Sequence, residues 1–378
     1  MLSQYSADIV KFFGIVVDFE DVLMLEYYRN VCANVCENVF RGCMASIRDV
    51  AKEAGVSVST VSHVINQTRF VSDNTQSKVY AATKKLNYTP NRLASSLRRK
   101  DKRTNTLGLL IPDSANPFFA EVLRGVEDTC FDAGFSVFLC NSDDDPQKEL
   151  NYIKVLLGNQ IDGIILVSTG THNDSLEVLA NSGIPSVLVD RVVSTGGIDS
   201  VLVDNETGGY QAGEYLINLG HRRVGCITGP SLLTPSAARV QGFKRAISKN
   251  GFEVTDELIM SGDFRAQSGF NAAKKMIDLD DLPTAVFACN DMMAVGALHA
   301  FDEAGLRVPD DISIIGFDDI ALASFTKPPL TTIAQPGQNM GLLAAEMVIN
   351  RIENPKLSPR EKILSTFLVE RKSCKNLE

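Results

Sequence analysis

The residues with the most chemistry in this chain stand where apolar segments end. Asn116-Pro117-Phe118-Phe119 closes a first strand-like run, Asp190-Arg191 a fourth, and the stretch from Gly229 to Arg239 a sixth. Phe264 follows Gly262-Asp263 beyond Leu258-Ile259-Met260, Asn290 stands before Asp291, Asp318 before Asp319, and Gln335 ends the last run. These side chains are planar amides, carboxylates, guanidinium groups and aromatic rings. The mixture suits a small polyhydroxylated ligand, because hydroxyls need paired donors and acceptors while the C–H faces of a ring stack on aromatics. Each residue also has a plainer reading. Asp113, Asp291 and Asp319 can cap the helices that follow, one of Phe118 and Phe119 can begin a helix as core, and Arg191 can serve a surface ion pair. Recurrence of one chemistry at strand after strand is what favours a binding cleft.

Catalytic machinery is not legible. No GxGxxG follows the first run, and GxxxxGK[ST], GxSxG and HExxH are all absent, so dinucleotide, phosphoryl, acyl and zinc-hydrolase chemistry lack their characteristic parts. The eight cysteines form no CxxC pair and the four histidines lie far apart. Reduced structural thiols, with no metal or other cofactor, are the expectation. The chain is read as a binding protein and not an enzyme.

The strand ends need a frame, and the rest of the body supplies one. Apolar runs at 106–111, 135–140, 163–168, 185–190, 200–204, 223–228, 285–289, 312–317 and 330–335 read as strands. Helical stretches lie between them, near 118–133, 146–158, 173–181, 206–219, 237–250, 267–277, 291–304 and 338–352. Continuous Val/Ile/Leu strands alternating with helices imply parallel sheets covered on both faces. In such sheets ligands collect beyond the carboxyl ends of the strands.

Ahead of that body the texture is different. Ile47, Val50, Ala51 and Ala54 share one helical face, Gly55 stops the helix, and Ser57 is placed to cap a second one through Ile65. A third runs from about Asp73 to Leu86, so that the three make a helix-turn-helix. Charge divides in the same way. Residues 44–105 carry twelve Lys/Arg and four Asp/Glu, a net of +8, whereas 106–378 carry 22 and 36, a net of −14. With a net of −3 for residues 1–43 these make the overall −9. A basic head on an acidic body points to nucleic acid. No apolar run approaches the roughly 18–20 residues of a membrane span, and a signal peptide is not apparent. A cytoplasmic location is expected.

The stretch MASIRDVAKEAGVSVSTVSHVINQTRFV, Met44 to Val71, resembles the DNA-binding head of the lactose-repressor family. The likeness continues through Asn87-Tyr88-Thr89-Pro90, the 106–204 half, Pro309 to Asp319, Pro329 to Ile333 and Glu370-Arg371, covering about 44–373. It implies a small all-α helix-turn-helix head plus an α/β body of two doubly wound parallel-sheet lobes, of the type I periplasmic-binding-protein kind. The expected divisions are an extension outside the fold at 1–43, a DNA-binding domain at 44–90, a hinge helix and linker at 91–105, and a binding and dimerisation domain at 106–378. Within that last domain, lobe 1 takes 106–204 and 336–364, and lobe 2 takes 205–335 and 365–378.

The resemblance also implies roles. Val58, Ser59 and His63 would face base edges, and Thr60, Ser62, Asn66 and Arg69 would hold phosphates. Leu97 matches a hinge leucine that wedges into the minor groove, while Ser95 departs from an Arg common in relatives. The ligand set would be Asn116, Phe118, Phe119, Asp190, Arg191, Arg239, Phe264, Asn290, Asp318 and Gln335. Its pattern is similar to that of ribose-binding members, and purine-responsive members lack the Asn-Pro-Phe-Phe run and the counterpart of Asn290. The resemblance therefore implies a repressor with palindromic operator DNA and D-ribose as partners, acting as a homodimer, since the family's tetramerising leucine repeat is absent. A purine co-repressor is the alternative effector, and a sugar receptor without gene control a more distant one.

Overall fold

The computed structural model describes residues 45–89, 103–167, 174–190, 197–230 and 234–377. The expected extension at 1–43, most of the hinge, Leu97 and Arg191 lie outside the described residues. The chain divides into two compact units, 1–98 and 99–378.

In the first unit three helices form, each with a local cause. Helix α1 (Ile47–Ala54) begins in a capping box: Ser46 Oγ accepts from Asp49 N, and the Asp49 carboxylate accepts from Ser46 N at 2.8 Å. It ends at Gly55, whose φ of 66° belongs to the left-handed region that glycine enters without a Cβ penalty. Ser57 caps α2 (Val58–Asn66) by accepting from Thr60 N at 3.0 Å. Helix α3 (Asp73–Lys85) closes the bundle. Val50, Ala51, Ala54, Val61, Val64, Val79 and Ala82 are its buried core.

The second unit holds two six-stranded sheets. The first has the order β11-β5-β4-β3-β1-β2, from Glu361–Leu364, Asp199–Val203, Ser186–Val189, Gly163–Val167, Thr106–Ile111 and Ser136–Asn141, all parallel. The second has the order β12-β10-β9-β8-β6-β7, from Phe367–Val369, Thr331–Ala334, Ser313–Asp318, Ala285–Ala288, Val224–Thr228 and Ile259–Ser261. Here the short β12 runs antiparallel to β10, which departs from the expectation of purely parallel lobes. Strands β11 and β12, four and three residues long, are too short to announce themselves by periodicity. The chain passes between the sheets after β5, after β10 and between β11 and β12.

Alternation along single strands shows the layering. In β1, Leu107, Leu109 and Ile111 face the cluster that includes α4 (Pro117–Asp132) and α11 (Gly337–Glu353). Leu110 faces Ile153, Leu156 and Leu179 of α5 (Pro146–Gly158) and α6 (Asp174–Ser182). In the second sheet, Phe317 lies against Gly208 of α7 (Asn205–Asn218), and the next residue back, Gly316, lies against Asp291 at the start of α10 (Asp291–Glu303). Both sheets are covered on both faces. Asp199, fully buried, binds Arg351 at 2.6 Å and Arg360 at 2.7 Å, tying β5 to α11 and the approach to β11.

Helix α8 (Thr234–Lys249) carries Arg239 and meets α7 through two glycines. A Cβ on Gly209 would stand 1.9 Å from the Arg239 carbonyl oxygen, and one on Gly242 the same distance from that of Glu206. Only hydrogen fits at either contact. Gly209→Ala must push α8 outward and take Arg239 with it. We expect a loss of about 1–3 kcal/mol in urea unfolding, the usual cost of overpacking; unchanged stability would show that α7 and α8 are not held at this separation.

Candidate effector cleft and DNA-reading helix

Between the two sheets of the second unit, at the carboxyl ends of their strands, lies a narrow cleft, partly open to solvent, with about 30 Å³ of room. That is space for one or two waters. Its walls include Asn116, Phe118, Phe119, Asp190, Arg239, Phe264, Asn290, Asp318 and Gln335. Nine residues chosen for their positions after strands therefore meet at one place. Pro112, Asp113, Asp144, Pro235 and Asp263 line it too. Asp144 is the instructive omission: it follows β2, and the strand-end rule applied to Asn141 through Asp145 would have found it.

Arg239 is the centre of the cleft's polar network. Its Nε donates to Asn205 Oδ1 at 2.7 Å and its Nη1 to the Cys289 carbonyl at 2.7 Å, with Asp318 Oδ1 at 3.5 Å. The guanidinium lies 3.9 Å from the centroid of Phe317 and 5.9 Å from that of Phe264. Asn205, which the sequence reading did not select, also donates to Asp190 Oδ1 at 3.4 Å. Gln335 Nε2 donates to Asp318 Oδ1 at 2.6 Å, and Gln335 Oε1 is buried with no hydrogen-bond partner.

Several of these side chains do structural work as well. Asn116 Oδ1 accepts from Phe118 N and caps α4. Asn290 Oδ1 accepts from Met293 N to cap α10, and its Nδ2 donates to the Phe264 carbonyl at 2.8 Å. Asn290 thus positions the aromatic wall. The cap at α10 belongs to Asn290 and not to Asp291, whose carboxylate accepts from Thr332 Oγ1 and Ile320 N behind the cleft. Asp319 pairs with Arg371 at 2.7 Å.

Backbone conformation marks the same place. Asp144, Asp190, Phe264 and Asp318 have φ of 57°, 60°, 68° and 117°. For a bulky residue such as Phe264 this is a costly conformation, and strain of that kind collects at binding sites. Gly229 makes room for the Phe264 ring, since a Cβ there would lie 2.2 Å from it.

Burial sets the charges. It raises Asp318 from 3.8 to about 7; Arg239 and the Gln335 hydrogen bond oppose the shift, and Asp190 reinforces it. Burial likewise raises Asp190, against Arg239 and Asn205. Asp291 is raised by burial and by the Asp318 charge.

In the first unit, the residues expected to meet DNA lie on or just beyond α2. Ser59 is exposed, with Oγ 2.7 Å from Ser57 Oγ, and Thr60 Oγ1 is 2.8 Å from the same atom. His63 Nδ1 lies 2.8 Å from Thr68 Oγ1, which orients the ring, and Asn66 Nδ2 donates to the Ser62 carbonyl. Arg69 is exposed. Val58 is half-buried and packs against the core of the head, so it is less free than an outward position implies. Phe70, 94% exposed, was not anticipated.

A helix-turn-helix head and a two-lobed body with a polar cleft at its strand ends define a ligand-responsive DNA-binding regulator. Comparison with known proteins makes the class specific. Residues 46–91 match the family described as bacterial regulatory proteins, lacI family, and residues 104–372 match periplasmic binding proteins and sugar binding domain of LacI family. The ribose operon repressor of Escherichia coli K12 is 44% identical over 332 residues, 88% of this chain and 100% of that protein. The transcriptional repressor PurR of Photobacterium profundum is 42% identical over 335 residues, again 88% and 100%. A LacI family regulator from Enterococcus faecium, solved with bound ribose, is 34% identical and has a TM-score of 0.67 over 72% of this chain and 100% of that one. This chain belongs to the LacI family and is a DNA-binding transcriptional repressor.

The raised Asp318 makes a test of the cleft possible. Because the folded state holds its proton more tightly than the unfolded chain, its contribution to stability is full below pH 3.8 and lost as pH rises toward 7. Asp318→Asn should therefore flatten the fall in melting temperature across that window; a slope equal to the parent's would mean that Asp318 is not buried as described.

Proposed function

We propose that this repressor controls a ribose uptake and catabolism operon, and that D-ribose, bound between the lobes, lowers its affinity for a palindromic operator. The observation that carries the reading is the cleft's surplus of acceptors. Asp113, Asp144, Asp190, Asp263, Asp318 and Gln335 face it, with Arg239 as the charged donor among the described lining residues. A pentose brings several hydroxyl donors, whereas a purine base presents ring-nitrogen acceptors and few N–H groups. Gln335 Oε1, buried and unpartnered, is an acceptor of the kind a hydroxyl satisfies. Phe118, Phe119 and Phe264 supply faces for the C–H side of the sugar. The ribose named for the Escherichia coli and Enterococcus faecium relatives supports the same reading.

On the DNA side, Ser59 and His63 read base edges in the major groove, Val58 offers a methyl-to-methyl contact, and Thr60, Ser62, Asn66 and Arg69 hold phosphates. Leu97 is assigned the minor-groove wedge, and Arg191 a place among the sugar ligands beside Asp190. A palindrome calls for a homodimer. The edge strand β2, with Phe138 and Leu139 exposed, is apolar surface suited to a subunit contact. The repressor acts in the cytoplasm on DNA, and no helix among the described residues is long and apolar enough to cross a membrane.

Ribose acts by its differential affinity for the closed and open arrangements. The coupling expected is about 1–3 kcal/mol, or roughly 5–150-fold in operator affinity. A purine-type regulator, in which the ligand strengthens operator binding, is the second reading, favoured by the 42% identity to the Photobacterium protein.

The test is a titration of the chain onto fluorescently labelled operator, with an external label because the sequence has no Trp. D-ribose should release the complex and hypoxanthine should not; tightening by hypoxanthine would favour the purine reading. Arg239→Gln should raise the ribose needed for release by up to about a hundredfold, since a hydrogen bond to a charged group is worth roughly 1.5–3 kcal/mol. His63→Ala should instead weaken operator binding at every ribose concentration. If the two variants behaved alike, the division between reading head and sensing body would fail.

A further inference from the structure

The reading helix of the head ends in a short turn that carries the most exposed large apolar side chain among the described residues. Phe70 is 94% exposed, and Asn66, Gln67, Thr68 and Arg69 before it are polar and exposed as well. The turn is held at both ends. On the side of α2, Gln67 takes left-handed backbone with a φ of 50°, and its N–H and that of Thr68 both reach the His63 carbonyl. Thr68 Oγ1 lies 2.8 Å from His63 Nδ1. On the side of α3, Val71 packs on the core of the head, and its carbonyl accepts from Gln76 Nε2 at 2.7 Å. Phe70 is therefore presented on a clamped segment, so that little further ordering is needed when something covers it.

We propose that Phe70 is a DNA-contact residue: its ring packs on the deoxyribose face of the operator backbone, beside the phosphate held by Arg69. The inference rests on the reading of α2 as the groove helix and extends its footprint past the end of that helix. The N-terminal residues of such a helix lie over base edges. A side chain beyond its C-terminal cap therefore lies outward of them, toward the sugar–phosphate chain. The Thr68–His63 contact ties this turn to a residue of the reading face. Charge brings the duplex to the same side, since residues 44–105 carry a net of +8. Phosphate oxygens suit the Arg69 guanidinium, and the C–H surface of the neighbouring sugar suits a ring. Such a contact adds affinity without sequence preference, because the sugar is the same in every nucleotide. It also displaces no counterion, which separates it from the contact made by Arg69.

Anisotropy titrations of the full chain on labelled operator, repeated over a salt series, test this. Phe70→Ala should weaken binding about tenfold, the worth of partly burying an aromatic ring, and leave the slope of affinity against salt unchanged. Arg69→Gln should instead reduce that slope by about one. Phe70→Leu, which keeps apolar surface, should recover part of the loss. An operator with uracil in place of every thymine should show the same Phe70→Ala loss, because the ring touches the sugar and not a base methyl. The side chain lies outside the buried core of the head, so these variants should melt like the parent. Unchanged affinity in Phe70→Ala, or a loss that disappears on the uracil operator, overturns the assignment. So does a loss accompanied by a lower melting temperature or by dissociation of the subunits in gel filtration, which would make Phe70 a packing or subunit contact. If His63→Ala weakens binding and Phe70→Ala does not, the reading of α2 stands without this extension; if neither does, both fall.

Discussion

A guanidinium almost wholly withdrawn from water has to be surrounded by acceptors, and the cleft is organised around that need. Arg239, with 4% of its side chain exposed, draws on Asn205, the Cys289 carbonyl and Asp318, and lies on the face of Phe317. These partners come from α7, the end of β8 and the end of β9, so a single buried charge holds three segments of the second lobe in register. A buried charge that loses its partners is expensive, which makes the arrangement resistant to partial disorder. The same charge keeps Asp190 and Asp318 from rising further, since both are pushed up by burial and pulled back by Arg239. The polar groups of this network are oriented by one another before any ligand enters.

Preorganisation extends outward from that centre. Gly209 and Gly242 set the separation of α7 and α8, and thereby the depth at which Arg239 sits. Behind the cleft, Asp291 holds Thr332 and the amide of Ile320, fixing the turn in which Asp318 and Asp319 both take left-handed backbone. Arg371 then ties Asp319 to the tail that follows the last crossover. The hydrogen bonds of the cleft are thus continuous with segments that cross between the two sheets.

Much of this could be read from residue order. The helix-turn-helix rests on local signals, a capping serine three residues before its partner and a glycine at the required left-handed position, so its helices were legible to within a residue or so. The αβ alternation was legible because a strand buried on both faces is a continuous apolar run. What was missed has equally physical causes. Strands β11 and β12 are short and half-exposed, with too few residues to show a period. Val58 looked outward from its helical position but leans on the head's core. Asn290 and Asn116 stand where a ligand reading places them, and their amides cap helices, because a strand end and a helix start occupy the same few residues.

The sequence by itself determined the class of protein: a basic three-helix head, an acidic α/β body, and the chemistry stationed at each strand end. Those properties depend on local hydrogen bonding, apolar period and composition, all of which act over neighbouring residues. Only the tertiary structure decided that Asn205 sits between Arg239 and Asp190, and that Asp113 of one lobe meets Arg265 of the other, 152 positions away. It also decided which carboxylates are buried deeply enough for desolvation to raise them above the usual range. These are matters of long-range packing and desolvation, and nothing in the spacing of residues along the chain encodes the distance between two strand ends in different sheets.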